Sequence, residues 1–123
     1  RGADLQQEWG RLLNRPPRIP QAGITALKGV AGDAALLARF ERAHAEALAW
    51  CQAEPEACGE MAARYIDMLT PEGVADAVRA TQATMQAVPA AEARAELEFF
   101  YQLLLDGQPG LVGGKLPDAA FYG

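Results

Sequence analysis

The residues best suited to bind a metal or to carry redox chemistry are a histidine and two cysteines in the middle of the chain. His44, Cys51 and Cys58 are spaced by seven residues. Structural zinc sites usually contain close cysteine pairs and a fourth ligand, and the sequence offers neither. As a general base, His44 would need a partner carboxylate, which the spacing does not identify. We therefore expect no metal site, and we expect His44 to lie in the core or at its boundary.

The two cysteines also raise the question of a disulfide. Cys51 and Cys58 fall at the end of one predicted helix and at the start of the next. A tight helical hairpin would bring their Cα atoms within the several ångströms that a disulfide requires. In an oxidising compartment the pair could form that bond; otherwise the two are small buried residues at a helix corner. The sequence leaves both alternatives open.

Nucleophilic and phosphate-binding chemistry finds little support. The chain contains no serine and only one histidine, so a Ser-His-Asp triad is excluded. The segment from Gly110 to Lys115 has a weak likeness to a phosphate-binding loop, but Pro109 stands where its first glycine should be. In addition, Leu116 follows the lysine in place of Ser or Thr. We predict no catalytic residue, and we expect a protein that is not an enzyme.

Charge and length limit the partners and the size of the fold. The 123 residues include 11 Lys and Arg against 16 Asp and Glu, a net charge of −5. This balance argues against nucleic acid or an anionic membrane as the main partner. The chain is long enough for one domain at most. Because it does not begin with Met, it is typical of a processed chain or a fragment, and a missing leader does not argue for the cytoplasm.

The spacing of apolar residues predicts five helices in a chain with 26 alanines. Asp33 is a good N-cap, and Pro55 suits the first turn of the following helix. An apolar face on the third helix is predicted to point inward. The predicted helices span 3–14, 33–52, 55–69, 71–87 and 90–106, and a Gly- and Pro-rich tail follows over 108–123. The inward face of the third helix comprises Met61, Tyr65, Met68 and Leu69.

One short segment predicts a strand. Residues 21–28 contain β-branched side chains, with Pro20 before them and Gly29 after them. A single strand is not stable alone, so it must pair with a sheet that this chain does not contain. The strand therefore predicts a missing part of the protein or a dimer partner.

The order of several segments resembles the C-terminal part of a periplasmic solute-binding protein of the ABC-transporter type. The nearest group is the nitrate/sulfonate/taurine family with its thiamine-precursor-like relatives. The resemblance covers essentially the whole chain, 1–123, as a single segment. The matching segments are Arg18-Ile19-Pro20-Gln21-Ala22-Gly23-Ile24, Ala47-Leu48-Ala49-Trp50, Glu54-Pro55-Glu56-Ala57, Val88-Pro89-Ala90-Ala91-Glu92-Ala93-Arg94 and Gly113-Gly114-Lys115-Leu116-Pro117-Asp118-Ala119-Ala120-Phe121-Tyr122.

This resemblance implies a fold and a function. The chain would be mostly α with one or two short strands, as the C-terminal fragment of a two-lobed α/β, type II periplasmic binding protein. Such a protein captures a small solute outside the cytoplasmic membrane, in the periplasm or extracellularly, and hands it to a membrane permease. No cofactor is implied. Within this chain, Gln21 could offer an amide to the ligand, and Gly23 could allow close backbone approach.

The residues also support one expectation about association and two alternative functions. As a fragment, the chain could form a homo-oligomer through its unpaired strand and exposed helix faces. The main alternative function is a self-contained helical protein-interaction domain, whose apolar stripes would close on one another without a strand. The other alternative is an enzyme acting on a pyrimidine-related precursor, which the lack of serine disfavours.

Overall fold

The computed structural model describes residues 2–123 and contains five α-helices within that range. They are α1 (Leu5–Leu13), α2 (Ala34–Ala53), α3 (Pro55–Tyr65), α4 (Pro71–Thr81) and α5 (Ala90–Gly107). Two short 3₁₀ turns, Pro109–Val112 and Ala119–Tyr122, follow in the tail. The mostly helical prediction is confirmed. The helices α3 and α4 end earlier than predicted, since Ile66 adopts an extended backbone and a turn at Thr84 and Met85 follows α4.

The predicted strand over 21–28 is wrong. Residues 21–27 form no regular structure, and a turn follows in which the amides of Val30 and Ala31 donate to the carbonyl of Leu27 at 2.9 Å. No strand forms anywhere within residues 2–123. An extended segment becomes a strand only when a neighbour accepts and donates its main-chain hydrogen bonds, and here no neighbour does so.

Local side-chain chemistry sets the starts of the helices. The Asp4 carboxylate accepts from the amides of Gln6 and Gln7, and Asp33 accepts from the amide of Leu36 at 2.9 Å, as its predicted role as N-cap requires. Pro55 and Pro71 occupy the first turns of α3 and α4. Their fixed φ suits this position, where the missing amide proton costs nothing.

The chain divides into two compact units. The first comprises the segments up to Ile24 and from Val88 onward, and the second runs from Thr25 to Ala87. In the second unit α3 and α4 pack closely as a hairpin, and α2 contacts both. Gly59 and Ala75 are buried at this packing. Arg79 of α4 forms ion pairs with Glu56 of α3 and with Asp76.

The junctions of the second unit are closed by polar side chains as well. The Gln52 amide nitrogen, near the end of α2, donates to the carbonyl of Met85 at 3.0 Å. In return, the Gln82 amide nitrogen, just after α4, donates to the carbonyl of Gln52 at 2.5 Å. The Gln82 bond satisfies a carbonyl that the last turn of α2 leaves free, and the Gln52 bond holds the segment after α4.

In the first unit, aromatic side chains join α1, α5 and the tail. The Trp9 ring lies 6.0 Å from the rings of both Phe99 and Phe100. Tyr122 is only 3% exposed. Its neighbour Phe121 contacts Tyr101 with ring centroids 6.4 Å apart.

Little else is buried. Only three apolar side chains within residues 2–123 fall in the buried class, namely Cys58, Ala75 and Tyr122. The predicted inward face of α3 is wrong for three of its members, since Met61 is 47% exposed, Tyr65 83% and Met68 85%. These side chains have no covering layer within the described chain.

Candidate functional site

The structure joins Cys51 and Cys58 in a disulfide. The Cα atoms lie 5.0 Å apart, because α3 begins only two residues after α2 ends and turns the chain back. Cys58 is buried and Cys51 is half-buried. Neither sulfur is therefore free to bind a metal or to act as a nucleophile, and the bond ties the end of α2 to the start of α3.

His44 occupies an exposed position on α2, contrary to the expectation of a core or boundary residue. Its ring stacks on Phe40, one helical turn earlier, with centroids 6.2 Å apart and planes 13° from parallel. Within residues 2–123, no group of three or more His, Cys, Asp and Glu side chains is arranged to hold a metal ion. His44 belongs to an apolar stripe along α2, in which Phe40 is also exposed and the other members are half-buried, namely Leu37, Leu48 and Cys51.

The two predicted ligand-binding residues lie in the irregular segment after α1. Gln21 and Gly23 are both exposed. A Cβ built at Gly23 meets no other atom within 4 Å, so the described chain does not require glycine there for close packing. Their role in binding a solute stays a prediction.

A small recess lies nearby in the first unit, and sequence analysis did not foresee it. We call it the Arg15 recess; its volume is about 10 Å³, roughly that of one water molecule. One side carries an ion pair between Arg18 and Glu96. The lining residues are Trp9, Arg15, Pro16, Arg18, Pro20 and Glu96.

Arg15 is the charged group of this recess that lies against an aromatic ring. Its guanidinium carbon lies 3.7 Å from the centre of the Phe99 ring, a close cation–π stack. Phe99 follows Arg15 by more than eighty residues in the chain, so no local spacing signals the contact. Arg18 and Glu96 are similarly distant in sequence and meet only through the packing of α5.

The environment of Tyr122 clearly perturbs its pKa. Burial raises its pKa above 10.0, and the carboxylate of Glu98 and the nearby Tyr101 act in the same direction. Arg94 opposes them, its guanidinium lying 5.1 Å from the centre of the Tyr122 ring. The hydroxyl is buried and has no hydrogen-bond partner within residues 2–123. Tyr122 therefore stays neutral and serves to anchor the tail on α5.

Comparison with protein-family models, with curated proteins and with solved structures finds no match. Within residues 2–123, every helix is too short or too polar to cross a membrane.

Proposed function

We propose that this chain is the C-terminal part of a two-lobed solute-binding protein that captures a small solute for an ABC-type importer. The proposal rests on the resemblance of several ordered segments to those of that family. It is supported by the amount of surface that the chain leaves uncovered. The chain would supply scaffold helices, and the remainder of the protein would supply most of the ligand contacts and the sheet.

The accessible surface area is the structural observation that most supports this proposal, because it favours a piece of a larger protein. The accessible surface is 9368 Å². A compact monomer of 13.1 kDa would expose about 6,400 Å² by the usual scaling with mass. Even two separate compact bodies of half that mass would together expose only about 7,700 Å². The excess is therefore not a matter of how the two units are arranged; the units themselves lack covering layers.

The uncovered surface includes apolar side chains that could pack against the rest of a larger fold. The helix α2 buries none of its twenty residues, and Leu36, Phe40 and Trp50 are at least 36% exposed. Monomeric proteins rarely expose large contiguous apolar patches, so a helix with no buried residue is typical of one that another surface covers. A helix with one apolar stripe is suited to pack on the face of a sheet. In the proposed protein, that sheet comes from the remaining part of the two lobes.

The disulfide supports a location outside the cytoplasm. Disulfides persist in oxidising compartments such as the periplasm and are rare where thiol reductants are abundant. A bond between Cys51 and Cys58 agrees with a receptor that works in the periplasm and meets a membrane permease there. The proposal requires neither cofactor nor catalysis.

The chain's own contribution to ligand binding would be limited. The Arg15 recess holds about 10 Å³, whereas small-molecule pockets usually span about 300–1,000 Å³. Gln21 and Gly23 remain our candidates for contact with the solute, since both lie exposed.

The coding sequence before Arg1 tests the proposal most directly. We expect a secretion signal and about two hundred further residues, a size that suits a two-lobed protein. The protein with those residues included should be stabilised against heat by one member of a solute panel containing nitrate, taurine, alkanesulfonates, pyrimidines and aromatic acids. The 123-residue chain alone should respond to none. A start codon directly before Arg1 would contradict the proposal.

A self-contained helical interaction domain is the second candidate, and the absence of a strand within residues 2–123 favours it. Such a domain would bind another protein through its exposed apolar faces. It would remain a folded monomer in isolation with a single cooperative melting transition, whereas the fragment would self-associate. Light scattering combined with thermal melting distinguishes the two.

A further inference from the structure

Arg15 differs from the other described arginines of its unit. Arg11 pairs with Glu8, Arg18 with Glu96, and Arg94 with Glu98. Arg15 is half-buried, and no carboxylate within residues 2–123 forms an ion pair with it. A guanidinium without a counter-charge keeps donors for a charge-assisted hydrogen bond, so the position is suited to a carboxylate that comes from elsewhere.

The backbone around Arg15 is held in place before any partner arrives. Asn14 adopts the left-handed conformation, with φ 51°, and ends α1. The Arg15 amide then donates to the carbonyl of Gly10 at 3.1 Å. A Cβ at Gly10 would lie 2.9 Å from the Arg15 carbonyl oxygen and 3.1 Å from Cα of Pro17, so only glycine lets this turn fold back on the helix.

The side chain is ordered as well. The contact with the Phe99 ring restrains the guanidinium, and no ion pair within residues 2–123 engages its N–H groups. Because the planar fork is already oriented, little rotamer entropy remains to be lost when it binds a carboxylate. The site is therefore prepared for paired, in-plane hydrogen bonds.

The size of the recess decides what kind of ligand fits. About 10 Å³ admits one oxygen atom and no more of a ligand. The rest of the ligand must lie outside, against the exposed Pro16 and the half-buried Trp9 and Pro20. A carboxylate at the tip of a side chain, carried by an extended peptide, fits this arrangement better than an enclosed small molecule does.

The distribution of charge along the chain also favours an acidic ligand. Between Trp9 and Gly32 there are four cationic residues and no Asp or Glu, in a protein whose net charge is −5. Three of the four, Arg11, Arg15 and Arg18, fall within eight residues at the end of α1. Because Glu8 and Glu96 pair with Arg11 and Arg18, Arg15 carries the unpaired positive charge that would attract an acidic partner to this segment.

We infer that Arg15 and its recess form a docking site for an acidic peptide segment, in which one Asp or Glu carboxylate pairs with the Arg15 guanidinium and neighbouring residues lie on Trp9 and the prolines. This inference does not depend on the proposed function. It concerns a binding site on this chain that is independent of Gln21, Gly23 and any transported solute.

Trp9 allows the site to be tested by fluorescence. In a Trp50→Phe background, Trp9 is the only tryptophan. The probes are a short peptide with blocked ends and one central glutamate, its twin with glutamine, and acetate as a free carboxylate. We expect the glutamate peptide to change Trp9 emission at a concentration at least about tenfold lower than either other probe, because charge-assisted hydrogen bonds contribute strongly.

Substitutions then assign the effect to Arg15. Arg15→Gln should weaken binding of the glutamate peptide at least about tenfold, and Arg15→Lys severalfold, since lysine keeps the charge but lacks the planar fork. Arg39→Gln, which removes an exposed arginine of α2, is the matched control and should bind like the parent. Circular dichroism checks that each variant keeps its helices. If Arg15→Gln loses them, the severalfold loss of binding expected of Arg15→Lys tests the inference instead.

Three results would overturn the inference. Equal binding of the glutamate and glutamine peptides would show that no carboxylate is recognised. If Arg15→Gln and Arg39→Gln weakened binding of the glutamate peptide equally, the effect would come from the net charge of the protein alone. Acetate binding as tightly as the peptide would show that a free carboxylate, not a peptide segment, is the ligand.

Discussion

The buried phenol of Tyr122 makes the tail sensitive to alkaline pH. The side chain is 3% exposed, and burial raises its pKa above the ordinary 10.0. In the unfolded chain the phenol loses its proton near pH 10.0, whereas in the folded chain it holds the proton to higher pH. The folded state therefore binds more protons in that interval, and stability must fall as the pH rises through it.

We expect Tyr122→Phe to reduce this alkaline loss of stability. At neutral pH the substitution should leave stability unchanged or raise it by about 1 kcal/mol, because the hydroxyl that it removes is buried without a partner. Urea unfolding at neutral pH and above pH 10.0 measures both effects. Tyr65→Phe is the control, since Tyr65 is 83% exposed. Equal alkaline sensitivity in both variants would contradict the argument.

Gly59 is the residue on which the packing of α3 against α4 most directly depends. A Cβ there would collide with the backbone carbonyl of Pro71 and would lie 2.9 Å from its carbonyl carbon. Backbone cannot move aside as a flexible side chain can, so the two helices would have to separate.

Gly59→Ala should therefore destabilise the α3–α4 hairpin by about 1–3 kcal/mol, despite the higher helix propensity of alanine. Urea unfolding followed by circular dichroism measures the change. Gly107→Ala is the matched control, because a Cβ at Gly107, also in a helix, meets nothing within 4 Å. That variant should be neutral or more stable by up to about 1 kcal/mol. Stabilisation by Gly59→Ala would show that the helices do not pack this closely.

At the scale of elements, the disulfide restrains the junction between α2 and α3. It closes a loop of only a few residues, with a sequence separation of seven. By closing this short loop, the bond lowers the conformational entropy of the unfolded chain. The folded state is thereby stabilised by about 2 kcal/mol. The Gln52 and Gln82 amides hold the same region by hydrogen bonds to the main chain.

Replacing both Cys51 and Cys58 with alanine should lower the free energy of unfolding by about 2 kcal/mol. Urea unfolding of the variant beside the oxidised and reduced parent measures this change, and the reduced parent should resemble the variant. Mass spectrometry after alkylation without reductant serves as the control and should find both thiols protected. Two alkylated cysteines in a preparation exposed to air would contradict the bond.

The positions of the helix starts could be predicted because their causes are local. Asp33, Pro55 and Pro71 each act within one turn of their own position. The helix ends were harder: nothing in the helical spacing of Met61, Tyr65 and Met68 announces the extended backbone at Ile66. The predicted strand over 21–28 failed because pairing is a property of two segments, and its own residues describe only one.

The candidate sites were predictable to different degrees for the same reason. The proximity of Cys51 and Cys58 follows from a short helical junction that the sequence displays. The stack of Arg15 on Phe99 and the pairing of Arg18 with Glu96 depend on how α5 packs. Neither pair has a local pattern, so periodicity and spacing could not reveal them.

For the molecule as a whole, the small buried core limits how stable the isolated chain can be. Burial of apolar surface is the main favourable contribution to folding, at about 25 cal/mol per Å². Only three apolar side chains within residues 2–123 fall in the buried class, so this contribution is less than a compact fold of the same length would gain, while the conformational entropy still opposes folding. A chain in this condition gains stability by covering its exposed faces with another surface.

We therefore expect the isolated 123-residue chain to self-associate. Multi-angle light scattering after size exclusion should give masses above 13.1 kDa that rise with concentration, and hydrogen exchange should show weak protection in α2 at low concentration. Phe40→Glu, which places a charge on the exposed stripe of α2, should shift the chain toward monomer, whereas Glu41→Gln on the same turn should not. A stable monomer with strongly protected amides in α2 would mean that the chain closes its own core. The proposal of a fragment of a larger receptor would then give way to that of an independent helical domain.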